Sequence, residues 1–297
     1  MAASRPRAVF VTRESDYELL LARHATREQA RFFLESRGQS LAELERRHDQ
    51  LAQALRRARA GVPGDWRQAL VRRADLDRFL FGQEDVVVAV GQDGLVANVA
   101  KYLNGQPVLG INPSPDLYDG VLLRVPLDRL EASLRAAAAR HADLERRTMV
   151  EAVLDTGEKL LALNEIFVGH RSHQSARYRV SAAGKAEDQS SSGLIVASGT
   201  GATGWARSIA EMTGSRLRIA ADEAAVAYFV REPFPSRATG TSLRSGRITS
   251  ERLEVVSRMN EGGAVFADGI EQDFLAFDWG RRVAIGPAAE ALNLVLG

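Results

Sequence analysis

The chain opens on a short apolar run, Arg7 to Thr12 (RAVFVT), of the kind that forms a buried strand, and then changes period. From Tyr17 to about Phe81, Leu, Ala, Arg and Glu dominate, and Leu41, Leu44, Leu51 and Leu55 fall on one helical face. Gly38 and the segment Gly61-Val62-Pro63-Gly64 divide this stretch into separate helices. At Asp85 to Val90 (DVVVAV) the pattern becomes a β-branched run, as a parallel strand covered on both faces requires. Gly91-Gln92-Asp93-Gly94 then turns into a helix, Leu95 to Asn104, whose apolar positions Val96, Val99, Ala100 and Leu103 recur at helical spacing, with Gly105 as its cap. Pro107 to Ile111 (PVLGI) is the next strand. Strand, glycine turn, helix and strand make a βαβ unit, so residues 1 to 142 read as an α/β domain that closes on an Ala-rich helix from Leu127 to Arg140.

After His141 the period shortens. Thr148, Val150, Ala152 and Leu154 alternate, Asp155-Thr156-Gly157 reads as a hairpin turn, and short strands follow at Leu160 to Val168, Ala176 to Ser181, Gly193 to Ala197 and Ala224 to Val230. Further strands are expected at Leu253 to Met259, Ala264 to Ala267, Phe274 to Phe277 and Arg282 to Ile285, several of them parted by glycine turns. Residues 143 to 286 therefore read as a mainly antiparallel β domain, interrupted by one helix near Gly204 to Met212. The fold class is an α/β N-terminal domain followed by a mainly antiparallel β C-terminal domain.

Composition narrows the function. Lys+Arg 39 against Asp+Glu 38 leaves a net charge of +1, which gives no reason to expect a nucleic acid or an anionic membrane as partner. Lysine occurs only at Lys101, Lys159 and Lys185, so the positive charge is almost all arginine, the residue suited to fixed contacts with phosphate or carboxylate. The absence of cysteine excludes disulfides, thiolate metal sites and a cysteine nucleophile, and fits a reducing compartment. No run of 18 apolar residues and no signal-peptide core is present, so a cytoplasmic protein without a membrane segment is expected.

Three constellations could carry chemistry. At Gly91-Gln92-Asp93-Gly94-Leu95, between strand and helix, the first amides of the helix lack partners and the helix dipole adds positive charge, so the turn attracts phosphate. A carboxylate there repels an anion unless it binds Mg²⁺ or takes a proton from an incoming hydroxyl, which makes Asp93 a candidate base or metal partner; the same residue also suits a helix N-cap. The second is Ser198-Gly199-Thr200-Gly201-Ala202-Thr203-Gly204-Trp205, which leaves a strand and enters the helix carrying Ala206, Ile209 and Ala210. Its small residues let a ligand approach the backbone, Trp205 adds a ring face, and an ordinary surface turn is the alternative. The third is Asn164-Glu165 inside an otherwise apolar strand, where each unsatisfied polar group would cost roughly 1 to 3 kcal/mol. A ligand with an amide and ribose hydroxyls would satisfy the pair, as would an arginine partner for Glu165. His170 and His173 have the spacing of metal ligands without an accompanying carboxylate or cysteine and read as solvated side chains. Pro113-Ser114-Pro115-Asp116 is a rigid turn that could frame a pocket, and the pair Gly91 and Gly94 lacks dinucleotide-fingerprint spacing, so a hydride-transferring Rossmann enzyme is not supported.

The order of these three sites resembles the NAD kinase family. GQDGL at 91 to 95 is similar to its Gly-Gly-Asp-Gly-Thr motif at Gly91, Asp93 and Gly94, with Gln92 in place of a glycine and Leu95 in place of the threonine. Asn164-Glu165 matches the family's Asn-Glu/Asp pair, and Thr200-Gly201-Ala202-Thr203-Gly204-Trp205 looks like its Thr-Gly-Ser-Thr-Ala-Tyr loop. PVLGINPSP at 107 to 115 is similar to the segment after the first motif, with Asn112 at the family's Asn, and FADGIEQ at 266 to 272 resembles a late Asp-Gly hairpin. The helix-rich start and PSPDLYDG look closer to the mitochondrial-type branch. The resemblance implies an active site between the two domains, with a C-terminal strand, 287 to 297, returning to the first. It implies ATP and Mg²⁺ as cofactors, NAD as substrate and a homo-oligomer, dimer or tetramer. By it, Asp93 is the base that activates the 2′-hydroxyl of the adenosine ribose; Gly91 and Gly94 face the triphosphate; Asn112, Asn164, Glu165, Thr200, Thr203, Gly204, Trp205 and Ser208 bind nucleotide; no residue is assigned to a metal. A kinase of another small-molecule or lipid hydroxyl, and a catalytically weakened NAD(P)-binding sensor, are the competing expectations.

Overall fold

The computed structural model describes residues 5–117 and 119–297; Met1 to Ser4 and Tyr118, the tyrosine of PSPDLYDG, lie outside the described residues. The chain forms two compact units, Met1–Glu145 with Asn293–Gly297, and Arg146–Leu292. Among the described residues no helix is long and apolar enough to cross a membrane.

In the first unit the chain runs β1 (Arg7–Thr12), α1 (Asp16–His24), α2 (Arg27–Glu35), α3 (Leu41–Ala60), β2 (Arg67–Arg72), β3 (Asp85–Val90), α4 (Asp93–Ala100), β4 (Pro107–Ile111) and α5 (Leu130–Ala138). The strands are parallel in the order β2-β1-β3-β4, and Asn293 and Leu294 pair parallel to β4. β3 is buried throughout, which is why it reads as an unbroken run of Val and Ala. One face of the sheet (Phe10, Val86, Val88, Val90, Leu109) packs against Ala54 and Ala58 of α3 and Leu130 and Leu134 of α5. The leucine face of α3 is divided between two neighbours. Leu51 and Leu55 join the sheet cluster, whereas Leu41 and Leu44 pack with Tyr17, Leu20 and Leu21 of α1 and Ala30, Phe33 and Leu34 of α2. α1 starts on a capping box, Ser15 with Glu18.

One stretch departs from its predicted helical state. Arg67–Arg72 (RQALVR) is an edge strand, paired in register with β1 from Arg7↔Arg67 to Thr12↔Arg72. Only Val71 of it is buried, so the local sequence has no apolar pattern to announce a strand, and pairing with β1 overrides the helical preference of Ala, Leu and Arg.

The second unit contains β5 (Leu144–Leu154), β6 (Lys159–Ala162), β7 (Glu165–His170), β8 (Ala176–Ala182), β9 (Lys185–Ser191), β10 (Leu194–Ala197), α6 (Trp205–Thr213), β11 (Val226–Val230), β12 (Ser245–Ile248), β13 (Leu253–Ser257), β14 (Gly263–Ala267), β15 (Phe274–Ala276) and β16 (Arg282–Val295), the first and last of which share their residues with the first unit. An antiparallel sheet runs β12-β11-β10-β7-β14-β15. Its inner face, with Ile166, Val168, Val196, Tyr228 and Val265, packs against Val150, Tyr178, Val180, Val255 and Ile285 from β5, β8, β13 and β16. On the other face Phe167, Ile195, Ala197 and Phe229 receive Ala206, Ile209 and Ala210 of α6. The α/β and antiparallel β classes are thus both present as expected.

Three details differ from the sequence reading. β9 (KAEDQSS) and β12 (SGRI) are strands that were not expected, because both are largely polar and owe their state to full pairing with β8 and β11. The stretch from Leu160 to Val168 is two strands, broken at Leu163-Asn164. Arg282–Ile285 and the segment after it are one continuous strand, Arg282–Val295.

Gly110 in β4 shows how the sheet meets the loop that follows it. A Cβ at this position would lie 2.1 Å from the Leu122 carbonyl oxygen and 2.8 Å from Leu123 Cα. Gly110→Ala is expected to lower stability by about 1–3 kcal/mol through overpacking against a backbone that cannot swing aside. Urea denaturation followed by circular dichroism measures it, and an unchanged midpoint would show that segment 121–123 is free to move.

Candidate functional site

In the first unit, β3 ends at Val90 and α4 begins at Asp93, so Gly91 and Gln92 form the whole connection. Gln92 occupies the N-cap position with φ −111° and ψ 165°, extended backbone open to any residue, so a non-glycine carries no strain here. Its side-chain oxygen accepts a hydrogen bond from Arg13 at 3.0 Å. Leu95 is buried, and a Cβ added at Gly91 would lie 3.0 Å from its Cδ2, so the leucine that stands in the threonine position helps to keep Gly91 a glycine. Gly94 is exposed, with nothing within 4 Å of where a Cβ would sit, which leaves the backbone of the first helical turn open to approach.

Asp93 does not cap its helix; it is the first helical residue, and its carboxylate reaches a later loop. Oδ1 accepts the Leu122 amide at 2.8 Å and Oδ2 the Val121 amide at 3.1 Å. Each oxygen retains a lone pair, so the group is oriented by the backbone and still able to accept a proton. Asn112, just past β4, accepts the Ser114 amide on Oδ1 at 2.9 Å, and the Ser114 hydroxyl donates to Gln50 at 3.0 Å. Arg13, Ser15, Arg47, Gly91, Gln92 and Ser114 contribute to the lining of a cavity of about 60 Å³.

In the second unit, Leu163 and Asn164 form the break between β6 and β7, and Glu165 opens β7, paired with Ala197; the amides of Leu163, Asn164 and Glu165 share one acceptor. All three donate to the carboxylate of Asp268, at 2.8, 2.7 and 3.2 Å. Asp268 adopts φ +49° and Gly269 φ +68°, a turn that Asp and Gly tolerate, and the Asp268 amide returns a bond to the Glu165 carbonyl at 3.0 Å. From the other side Ser198 donates its hydroxyl to the Leu163 carbonyl, and its own amide donates to the Asn164 carbonyl at 2.9 Å. The Ser198 hydroxyl also accepts the amides of Thr200 and Gly201, at 3.1 and 3.2 Å. Gly201 passes so close that a Cβ would lie 2.1 Å from the Asn164 carbonyl oxygen. The glycine loop and the Asn-Glu pair are therefore one stitched assembly.

Thr203, Gly204 and Ser208 are exposed on this loop and the start of α6, and Thr203 donates to the Thr200 carbonyl at 2.9 Å. Trp205 is half-buried, stacked on Phe167 with centroids 6.0 Å apart, and carries the Arg231 guanidinium 4.9 Å from its ring centroid. Arg147, buried in β5, donates to the Thr200 hydroxyl at 3.2 Å. Burial first, and the neighbouring Asp268 carboxylate second, push the Glu165 carboxyl up from its ordinary 4.5 to about 7.

Asp268 and Arg147 are the residues that sequence reasoning did not assign to the site. Asp268 carried a signal, the Asp-Gly turn of FADGIEQ, whereas nothing local distinguishes Arg147 from the other arginines. His170 accepts the Ser172 amide on Nδ1 at 3.0 Å and His173 is exposed; among the described residues no three His, Cys, Asp or Glu side chains gather as a metal cage.

No protein-family profile matches the chain. Among solved structures it superposes on an NAD kinase from Archaeoglobus fulgidus in complex with ATP, with a TM-score of 0.60 and 21% identity over 97% of this chain and 93% of that one. It also superposes on a yeast NADH kinase complexed with NADH, with a TM-score of 0.57 and 14% identity over 99% and 84% of the two chains. At the sequence level it is 28% identical over 211 residues to a probable NADH kinase of Oryza sativa subsp. japonica, covering 62% of this chain and 63% of the relative. The chain has the fold of the NAD kinases and is similar in sequence to an NADH kinase. An NAD kinase of Chlorobaculum tepidum is 28% identical over 150 residues, 49% of this chain. The chain spans 63% and 48% of the lengths of these two curated relatives. The two units of this chain, one α/β and one antiparallel, are consistent with the two-domain fold of the NAD kinases.

The raised Glu165 carboxyl makes a stability prediction. The folded protein binds this proton more tightly than the unfolded chain, so the associated stability is fully present below pH 4.5 and is lost as pH rises through about 7. Glu165→Gln removes the loss. Relative to wild type, the variant is expected to gain roughly 1–3 kcal/mol between pH 5 and pH 8, measured by urea denaturation at the two pH values; a difference that does not change with pH would show that Glu165 titrates normally.

Proposed function

We propose that this protein is an ATP-dependent NAD kinase, which transfers the γ-phosphoryl group of ATP to the 2′-hydroxyl of the adenosine ribose of NAD to give NADP. The observation that carries the reading is the Asp93 carboxylate, anchored at 2.8 and 3.1 Å by two amides beside a glycine turn whose helix terminus is open to phosphate. The names of the relatives, NAD and NADH kinases, support the same acceptor chemistry. The 2′-hydroxyl is common to NAD and NADH, so both dinucleotides are candidate acceptors.

Phosphoryl transfer asks little covalent chemistry of a protein and much alignment. In this reading Asp93 accepts the 2′-hydroxyl proton and orients the attacking oxygen. Gly91 and Gly94 let the triphosphate approach the amides of the first turn, while Asn112, Asn164, Glu165, Thr200, Thr203, Gly204, Trp205 and Ser208 hold the dinucleotide. Mg²⁺, which neutralises charge on the phosphates, would arrive with ATP, since such sites draw on one or two carboxylates and substrate oxygens in place of a protein cage. Asp93 is the one assigned side chain near the phosphates able to meet it. A cysteine-free chain fits the cytoplasm, and the family resemblance carries the expectation of a homo-oligomer.

The test is incubation with ATP, Mg²⁺ and either NAD or NADH, with the phosphorylated dinucleotide read by a coupled dehydrogenase. Asp93→Asn is expected to lower kcat about 10²- to 10⁴-fold. Its folding is checked by thermal melting, because the same carboxylate holds Val121 and Leu122. Undiminished turnover in a folded Asp93→Asn protein removes Asp93 from the mechanism. Dinucleotide binding without turnover in wild type favours a sensor.

A further inference from the structure

We propose that Asp268 is a positioning residue for the dinucleotide: by drawing the amides of Leu163, Asn164 and Glu165 onto one carboxylate, it sets the direction in which Asn164 and Glu165 meet the ligand. This rests on the reading of the Asn-Glu pair as part of an NAD site.

Three observations support it. The amides that Asp268 accepts belong to three consecutive residues, the two of the break between β6 and β7 and the first of β7, so one carboxylate gathers the backbone where the strand resumes. The opposite side of the same backbone is held by Ser198, whose hydroxyl and amide take the carbonyls of Leu163 and Asn164. A peptide segment gripped through its N–H groups on one side and its C=O groups on the other has little freedom to rotate, and its side chains inherit that restriction. Finally, Asp268 is held in a left-handed turn, with its own amide bonded to the Glu165 carbonyl, so the contact is reciprocal.

The placement has an electrostatic consequence that a merely structural contact would lack. Glu165 pairs with Ala197 of β10 and adjoins Asp268 beyond the end of β14; the Ser198–Gly201 loop beside it is uncharged, and Arg147 donates to the Thr200 hydroxyl of that loop. Asp268 is thus the charged group that acts on Glu165. Three amide donors point at the Asp268 carboxylate, whereas Glu165, buried beside it, is pushed up to about 7 and gains its proton as pH falls through neutrality. A neutral Glu165 offers a hydroxyl donor to a ribose or phosphate oxygen and spares the anionic dinucleotide a second negative charge. Above neutrality that advantage goes.

Calorimetric titration of NAD into the full chain from pH 5.5 to 8.5, for wild type, D268N, D268A and E165Q, tests the proposal. Wild type is expected to lose affinity as pH rises through about 7, and E165Q to lose that dependence. In D268N one carboxylate oxygen becomes an amide that opposes an N–H donor, so affinity falls about tenfold, and the pH midpoint moves toward acid as the neighbouring charge disappears. D268A is expected to bind more weakly still, and should it fail to fold by thermal melting, the isosteric D268N carries the comparison. A folded D268N with the wild-type Kd and the wild-type midpoint overturns the proposal. Wild type that binds NAD yet forms no NADP overturns only the kinase reading, and wild type that binds no NAD overturns both.

Discussion

A backbone amide that leaves a sheet has to find another acceptor, and this constraint organises both candidate sites. At the break between β6 and β7 three consecutive amides converge on the Asp268 carboxylate, and beyond α4 the amides of Val121 and Leu122 converge on Asp93. A charged acceptor binding two or three N–H groups is stronger than a neutral one and shorter in reach. Each carboxylate therefore fixes a piece of irregular backbone that no ladder could hold.

The same constraint explains why small residues cluster where they do. Gly201 runs within a would-be 2.1 Å of the Asn164 carbonyl oxygen, and Gly110 within the same distance of the Leu122 carbonyl oxygen. In both cases the glycine permits one stretch of backbone to lie directly against another. Gly94 differs: it is exposed, and among the described residues nothing lies within 4 Å of where its Cβ would sit.

Much of this was legible in the chain. β3 was evident from its β-branched run because it is covered on both faces, and the turn at Gly91 to Gly94 and the loop from Ser198 to Trp205 were evident because their residues suit little else. β2 and β9 were not, since their inward positions are few or polar and their strand state comes from neighbours distant in sequence. Asn164-Glu165 was read as the middle of a strand, whereas Asn164 lies at a break; the acceptor for the backbone amides there lies about a hundred residues away at Asp268, beyond the reach of any local pattern. Arg147 was hidden for the same reason, one arginine in an arginine-rich chain until Thr200 is placed beside it.

The two departures from the family's first motif also resolve into geometry. A glutamine in a glycine position would be costly only in a left-handed conformation, by roughly 1–2 kcal/mol, and Gln92 is extended. Its side chain instead holds Arg13 at the end of β1, adding an oriented guanidinium to the lining of the turn. Leu95 gives up a hydroxyl and gains burial against the first glycine, so the turn is held from beneath by packing where a threonine would have offered a polar contact. Both changes leave the open amides at Gly94 and the anchored carboxylate at Asp93 in place. At the two departures, a contact to arginine and apolar packing thus stand where the motif has a glycine and a hydroxyl.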